Sequence, residues 1–149
     1  SGMHEEIVAV TPEVEDDENE AIEVVTPATY YLKNGKHYIV YEEVVEGTSG
    51  VIKNRIKING DECVEIVKSG LSNSHMIFEK NKKNQTFYKT PYGQMLIGVN
   101  TRHLQVDFEE DKIAVQIDYE LDVNHEPMAD CKIRMNIVSK DSGKFSVLS

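Results

Sequence analysis

The chain has 149 residues, of which 40% are hydrophobic and 28% are charged, and its formal net charge is −10. This balance is typical of one soluble globular domain, and a chain of this length buries a core without needing disulfides or a metal. Nine acidic residues fall within residues 1–23, which contain no lysine or arginine. Because affinity for nucleic acids depends on clustered basic residues, we expect no nucleic-acid partner.

The first residues bear on the domain boundaries and on the compartment. Residues 1–2, Ser-Gly ahead of Met3, resemble an expression-tag scar, so the single predicted β-barrel domain spans residues 3–149. After Met3 the chain reads His-Glu-Glu, the wrong sign for the basic start of a signal peptide. No apolar run approaches the ~18 residues that a membrane helix needs. We therefore expect no signal peptide, no membrane partner and a cytoplasmic location. Cys63 and Cys131 lie far apart, which favours two reduced, half-buried strand residues over a disulfide or a zinc site.

Apolar residues recur with a period of two in several segments, which predicts β-strands with one dry face. Such one-sided strands belong to antiparallel sheets, because strands of parallel sheets are covered on both faces. The inward-facing residues in chain order are Ile52, Ile56 and Ile58; Val64 and Ile66; Leu104, Val106 and Phe108; Ile113, Val115, Ile117, Tyr119 and Leu121; and Ile133, Met135 and Ile137.

Turn signals separate these segments about every ten residues. Asn34-Gly35 and Asn59-Gly60 are the strongest, because a type I′ hairpin needs positive φ at both central residues. Weaker signals include Asp16–Asn19, the run from Asn81 to Asn84, and Asn124-His125. No segment shows a long helical stripe. The chain is therefore predicted to be all-β, as a single antiparallel up-and-down (meander) barrel of about eight to ten strands.

Aromatic and turn residues spread over most of the chain carry a family resemblance. They are Thr26, Tyr30 to Lys33, Tyr38, Tyr41, Glu43, Ser69-Gly70, Met76, Phe78, Tyr88 to Gly93, Thr101 and Tyr119. In these positions the chain resembles the YwiB-like family of small bacterial proteins, which has no established function. The resemblance implies a lipocalin-like or calycin-like antiparallel β-barrel. Two positions depart from the family pattern: Lys68 stands where an arginine is usual, and Ala28 where a glycine is usual.

Two charged residues fall in the inward phase of their strands. Glu43 shares the phase of Ile39 and Tyr41, and Lys68 shares that of Val64 and Ile66. Buried charges are costly alone, so such residues pair, lie at a barrel mouth or bind a ligand. The candidate ligand-binding residues are Tyr30, Tyr41, Glu43, Lys68, Tyr88 and Tyr119. Two alternatives remain open: the barrel is packed with its own side chains, or a bulge turns Glu43 towards solvent.

Motifs of common enzyme classes are absent from the sequence, and the five histidines lie on separate segments without metal-ligand spacing. We therefore predict no catalytic residues, no metal and no cofactor. The predicted function is that of a non-enzymatic cytoplasmic β-barrel that binds a small, partly apolar molecule inside the barrel. The alternative is a protein-interaction or homodimerisation module with a packed, ligand-free barrel.

Overall fold

The computed structural model describes the backbone of residues 4–15, 21–23 and 25–139, and the side chains of residues 25–139. Within these ranges eleven strands form one antiparallel sheet. The strands are β1 (His4–Glu15), β2 (Ala21–Glu23), β3 (Thr26–Lys33), β4 (Lys36–Val44), β5 (Val51–Asn59), β6 (Cys63–Gly70), β7 (Ser74–Glu79), β8 (Lys83–Thr90), β9 (Gly93–Phe108), β10 (Lys112–Val123) and β11 (Glu126–Ser139). The predicted all-β class is confirmed.

The sheet follows the chain order almost without interruption, as the meander prediction requires. Its strand order is β7-β6-β5-β4-β3-β1-β11-β10-β9-β8, and the short β2 pairs only with β1. The first and last long strands join the two halves of the sheet, with Val8 of β1 opposite Ser139 of β11. The two edge strands are therefore β7 and β8, which are consecutive in the chain. We call the line along which these two strands face each other the seam.

The inner face of the curled sheet holds the core, and its residues come from both halves of the chain. The inward phases predicted for β5, β9, β10 and β11 agree with the structure, since Ile56, Leu104, Ile117 and Met135 are all buried. Phe78 of β7 is among the largest fully buried side chains. Side chains of the protein itself thus fill the middle of the barrel.

The turns show one correct and one incorrect detail of the sequence prediction. Asn34 and Gly35 have φ values of 52° and 77°, as a type I′ turn requires. The same prediction is wrong for Asn59-Gly60, because only Gly60 has a positive φ and Asn59 is the last residue of β5. The longer turn there closes with the Glu62 amide donating to the Asn59 carbonyl over 3.3 Å. The turn predicted at Asp16–Asn19 lies outside the described residues.

The other structural expectations concern the cysteines and membrane-spanning segments. Cys63 and Cys131 are unpaired and half-buried on strands β6 and β11, as predicted. Among the residues that the structure describes, no helix has the length and apolar character needed to cross a membrane.

Candidate functional site

A large cavity lies at the seam, where the wall of the barrel is open. It is a cleft of about 830 Å³ between the β6–β7 side and the β8–β9 side. The apolar lining residues include Met76, Phe87, Met95, Ile97 and Leu121, and the polar ones include Lys68, Ser74, His75, Thr86, Tyr88 and Lys89. An apolar surface with a few convergent polar groups is the usual construction of a small-molecule site.

The backbone between β7 and β8 closes a turn, in which the Lys82 amide donates to the Glu79 carbonyl over 3.0 Å, but it then bonds to β9 and no β7–β8 ladder follows within residues 25–139. The amide of Asn81 donates to the carbonyl of Thr101 over 3.1 Å, and the Thr101 amide donates to the Lys82 carbonyl over 3.0 Å. A side-chain bond crosses the seam, from Asn84 Nδ2 to the Ile77 carbonyl at 3.3 Å. Beyond this bridge, towards Ser74 and Thr90, no backbone ladder joins the two strands within the described part of the chain.

A polar cluster formed by Glu43, Asn54 and Lys68 lies beside the cleft, and Lys68 is also one of the lining residues. On adjacent strands, Tyr41 lies opposite Asn54 and Asn54 lies opposite Lys68. Asn54 Nδ2 donates to Glu43 Oε1 over 2.6 Å, and Lys68 Nζ donates to the same oxygen over 2.9 Å. Asn54 is 1% exposed, so its amide group is fixed in the core. The cluster therefore holds the Lys68 ammonium in a defined place at the cleft wall.

The ionisation of Glu43 reflects this cluster. Burial alone would raise the pKa of Glu43, but hydrogen bonds from Lys68 and Asn54, together with the Lys68 charge, outweigh burial and lower it. Glu43 is thus a carboxylate at neutral pH. The inward phase predicted for Glu43 and Lys68 agrees with this arrangement, and their role towards a ligand stays a prediction.

We expect Tyr41 to titrate far above an ordinary tyrosine. Burial, and then the charge of Glu43, raise the pKa of Tyr41 from its ordinary value of 10.0 to about 12. The folded chain keeps this proton between those two pH values while the unfolded chain releases it, so the stability that it contributes is lost as pH rises across the interval. The ultraviolet difference titration between the wild type and Tyr41→Phe measures this ionisation.

The control for this titration is Glu43→Gln, which removes the carboxylate charge. It should move the pKa of Tyr41 back towards its ordinary value, because the charge of Glu43 is one of the two causes of the shift. A Tyr41 that ionises at its ordinary pKa in the wild type would contradict the burial seen here.

The other predicted tyrosines occupy three different places. Tyr88 lines the cleft on the β8 side, across from Lys68 on β6. Tyr30 hydrogen-bonds to His37 Nδ1 over 2.7 Å and lines a separate cavity of about 280 Å³ with Phe108. Tyr119 packs edge-on against Phe78, with 4.9 Å between the ring centroids, and burial is the main reason that its pKa is raised. Of the six predicted residues, only Lys68 and Tyr88 line the cleft, and Glu43 bonds to Lys68.

Comparisons with known proteins support the fold and the family. A family model described as a domain of unknown function, DUF1934, matches residues 7–135. The chain belongs to this family. It is also 32% identical over 114 residues to a protein of Bacillus subtilis (strain 168) named as an uncharacterized beta-barrel protein, YwiB, covering 76% of this chain and 78% of YwiB. The crystal structure of YwiB from B. subtilis superimposes with a TM-score of 0.69 at 23% identity, over 92% of each chain.

The family thus confirms the resemblance drawn from the aromatic and turn residues, but it assigns no activity to the DUF1934 fold. Within residues 25–139, no three histidine, cysteine, aspartate or glutamate side chains lie close enough together to hold a metal ion.

Residues of β8 and β9 are the part of the cleft that the sequence analysis missed. Thr86, Met95 and Ile97 were not predicted as lining residues, although β8 carries a signal. Its inward positions are mainly polar, and an aromatic residue, Phe87, lies on its outward side with 68% exposure. A strand with this inverted pattern gains little from joining the core, which is consistent with its place at the seam.

Proposed function

We propose that this protein is a non-enzymatic β-barrel that binds a small, partly apolar molecule. The observation that supports this is the seam cleft, whose volume of about 830 Å³ lies within the range of about 300–1,000 Å³ common for small-molecule sites. The middle of the barrel is packed by Phe78 and Ile39, both fully buried. The proposed ligand therefore lies at the seam, with its apolar part against Met95 and Ile97. The cytoplasmic location stays a prediction from the sequence.

A neutral fluorescent dye tests this proposal directly. N-phenylnaphthylamine fluoresces strongly in apolar surroundings and weakly in water. We expect saturable binding by the wild type. Thr86→Trp places a large side chain in the cleft, so it should weaken dye binding by about tenfold or more. A tenfold loss corresponds to about 1.4 kcal/mol of binding free energy, which a blocked site readily exceeds.

The matched control is Gln105→Trp, at an exposed position on the outer face of β9. It adds the same chromophore away from the cleft and should leave binding unchanged. Thermal unfolding of both variants verifies that they are folded. Absence of dye binding by the wild type, or equal binding by Thr86→Trp and Gln105→Trp, would overturn the proposed site.

The second candidate function, a protein interface, is favoured by apolar side chains exposed near the cleft. Tyr92, Phe87 and Leu71 are 99%, 68% and 55% exposed, and each lies in or next to a segment that lines the cleft. Exposed apolar groups of this kind mark interaction surfaces. Native mass spectrometry distinguishes the two functions: an added small mass supports the ligand, whereas a dimer mass that is lost in Phe87→Ser supports homodimerisation.

A further inference from the structure

We propose that the ligand of the seam cleft is an anion, namely a small apolar molecule that ends in a carboxylate, sulfonate or phosphate group. Lys68 and Lys89 bind this group from opposite sides of the cleft. This inference rests on the proposed function and adds the chemical class of the ligand.

The first observation is the sign of the charges around the cleft. The chain carries 26 acidic and 16 basic residues, yet the lining contains Lys68, Lys89 and His75 and neither aspartate nor glutamate. A positively charged concavity on a protein with net charge −10 attracts small anions that the rest of the surface repels.

The second observation is the way in which Lys68 is held. Its ammonium donates one hydrogen bond, to Glu43 Oε1 at 2.9 Å, and the same oxygen is anchored by the buried Asn54. An ammonium has three N–H donors, so two remain for a ligand. The side chain of Lys68 is 36% exposed, so it still reaches the cleft. Glu43 and Asn54 are therefore positioning residues for Lys68.

The third observation is that Lys89 lacks, among the described residues, the carboxylate partner that His75 has. His75 Nε2 lies 3.1 Å from Glu65 Oε2, so a carboxylate already balances its charge when it is protonated. Lys89 is exposed on β8 and makes no ion pair with any residue that the structure describes. Lys89 shares the outward side of β8 with Phe87 and lines the cleft from there. One glutamate thus opposes the two lysines that line the cleft, which leaves a net positive site.

The test compares two dyes that share an aromatic body and differ in one charge: anilinonaphthalene sulfonate and neutral N-phenylnaphthylamine. We expect the wild type to bind the sulfonate more tightly. Lys68→Met and Lys89→Met should each weaken binding of the sulfonate dye by about tenfold, because a hydrogen bond to a charged group contributes about that factor to affinity. Binding of the neutral dye should change by less than about twofold.

Two further variants distinguish charge from structure. Lys33→Met, at an exposed position of β3 far from the cleft in the sheet order, makes the same charge change and should leave both dyes unaffected. Glu43→Gln removes the opposing charge and keeps an amide oxygen for Lys68 and Asn54, so sulfonate binding should strengthen. If Lys68→Met bound both dyes more weakly, Lys68 would be needed for the structure of the cleft. That result would overturn the inference that Lys68 binds the anionic group.

The remaining outcomes are also decisive. Equal affinity of the wild type for both dyes overturns the anionic class and leaves the proposed function in place, whereas binding of neither dye overturns both. Flotation with phosphatidylglycerol vesicles separates a free ligand from a lipid headgroup. Absence of vesicle binding supports a free small molecule as the ligand. Vesicle binding that Lys68→Met abolishes would show that the ligand is a lipid headgroup, and it would overturn the proposal of a free small molecule.

Discussion

Replacement of Phe78 by alanine is expected to lower the free energy of unfolding by about 3–5 kcal/mol. Phe78 is fully buried on β7, and its ring lies edge-on to Tyr119 of β10. Alanine would leave a cavity that the neighbouring side chains fill only in part, and it would also remove the contact between the two rings. The free energy of unfolding is measured by urea titration.

The matched control is Phe87→Ala, which deletes the same group from the other edge strand of the sheet. Phe87 is 68% exposed, so this variant should change stability by less than about 0.5 kcal/mol. Phe78→Leu, which refills most of the volume, should recover a large part of the loss. Equal effects of the two alanine variants would show that β7 does not contribute to the core as described.

The strands of the second half of the chain illustrate how much of the fold could be predicted. On β10, Ile113, Val115 and Ile117 occupy every second position and all three are buried, because a period of two places every second side chain on one face. On β9 the alternation of buried and exposed residues changes phase at a β-bulge, where Arg102 and His103 are both exposed and the register with β10 shifts. Leu104 and Val106, which follow this bulge, are buried as predicted, because the alternation within one run does not depend on the phase of the residues before it.

The seam could not be predicted from local patterns. The run from Asn81 to Asn84 is a turn signal, and a turn is present there, with Asn81 at a φ of 60°. What decides the seam is that the backbone of this turn bonds to Thr101, about twenty residues further along the chain. Turn residues specify a reversal of direction, but they do not specify which strand accepts the amides.

The candidate site was predictable in part for a related reason. Strand phase fixes the face on which a side chain lies, and so Glu43 and Lys68 were both placed inward, where they bond to each other. Phase does not fix the height of a residue along the barrel. Tyr30 and Tyr119 are therefore inward-facing without lining the cleft: one bonds to His37, and the other packs on Phe78.

Lys83→Met is expected to destabilise the protein by about 2–4 kcal/mol, because it would leave a buried carboxylate without its counter-ion. The Lys83 ammonium pairs with Asp122 across the outer face of β9, and the Asp122 side chain is 7% exposed. Gly98 lies between them: a Cβ there would come within 3.0 Å of Lys83 Cε. The pair thus joins β8, one wall of the cleft, to β10. Because Lys83 itself is 40% exposed, the expected loss lies below that of a fully buried pair.

A double-mutant cycle separates the pair from the cost of an unpaired charge. Lys83→Met combined with Asp122→Leu should recover much of the stability lost in Lys83→Met alone, since neither side chain is then charged. Arg102→Met provides the exposed comparison, because its pair with Glu120 is open to solvent and should contribute less than about 1 kcal/mol. If the double variant were as unstable as Lys83→Met, the loss would come from packing of β8 and not from the charge of Asp122. Since β8 forms one wall of the cleft, Lys83→Met should also weaken N-phenylnaphthylamine binding, and the double variant should restore it.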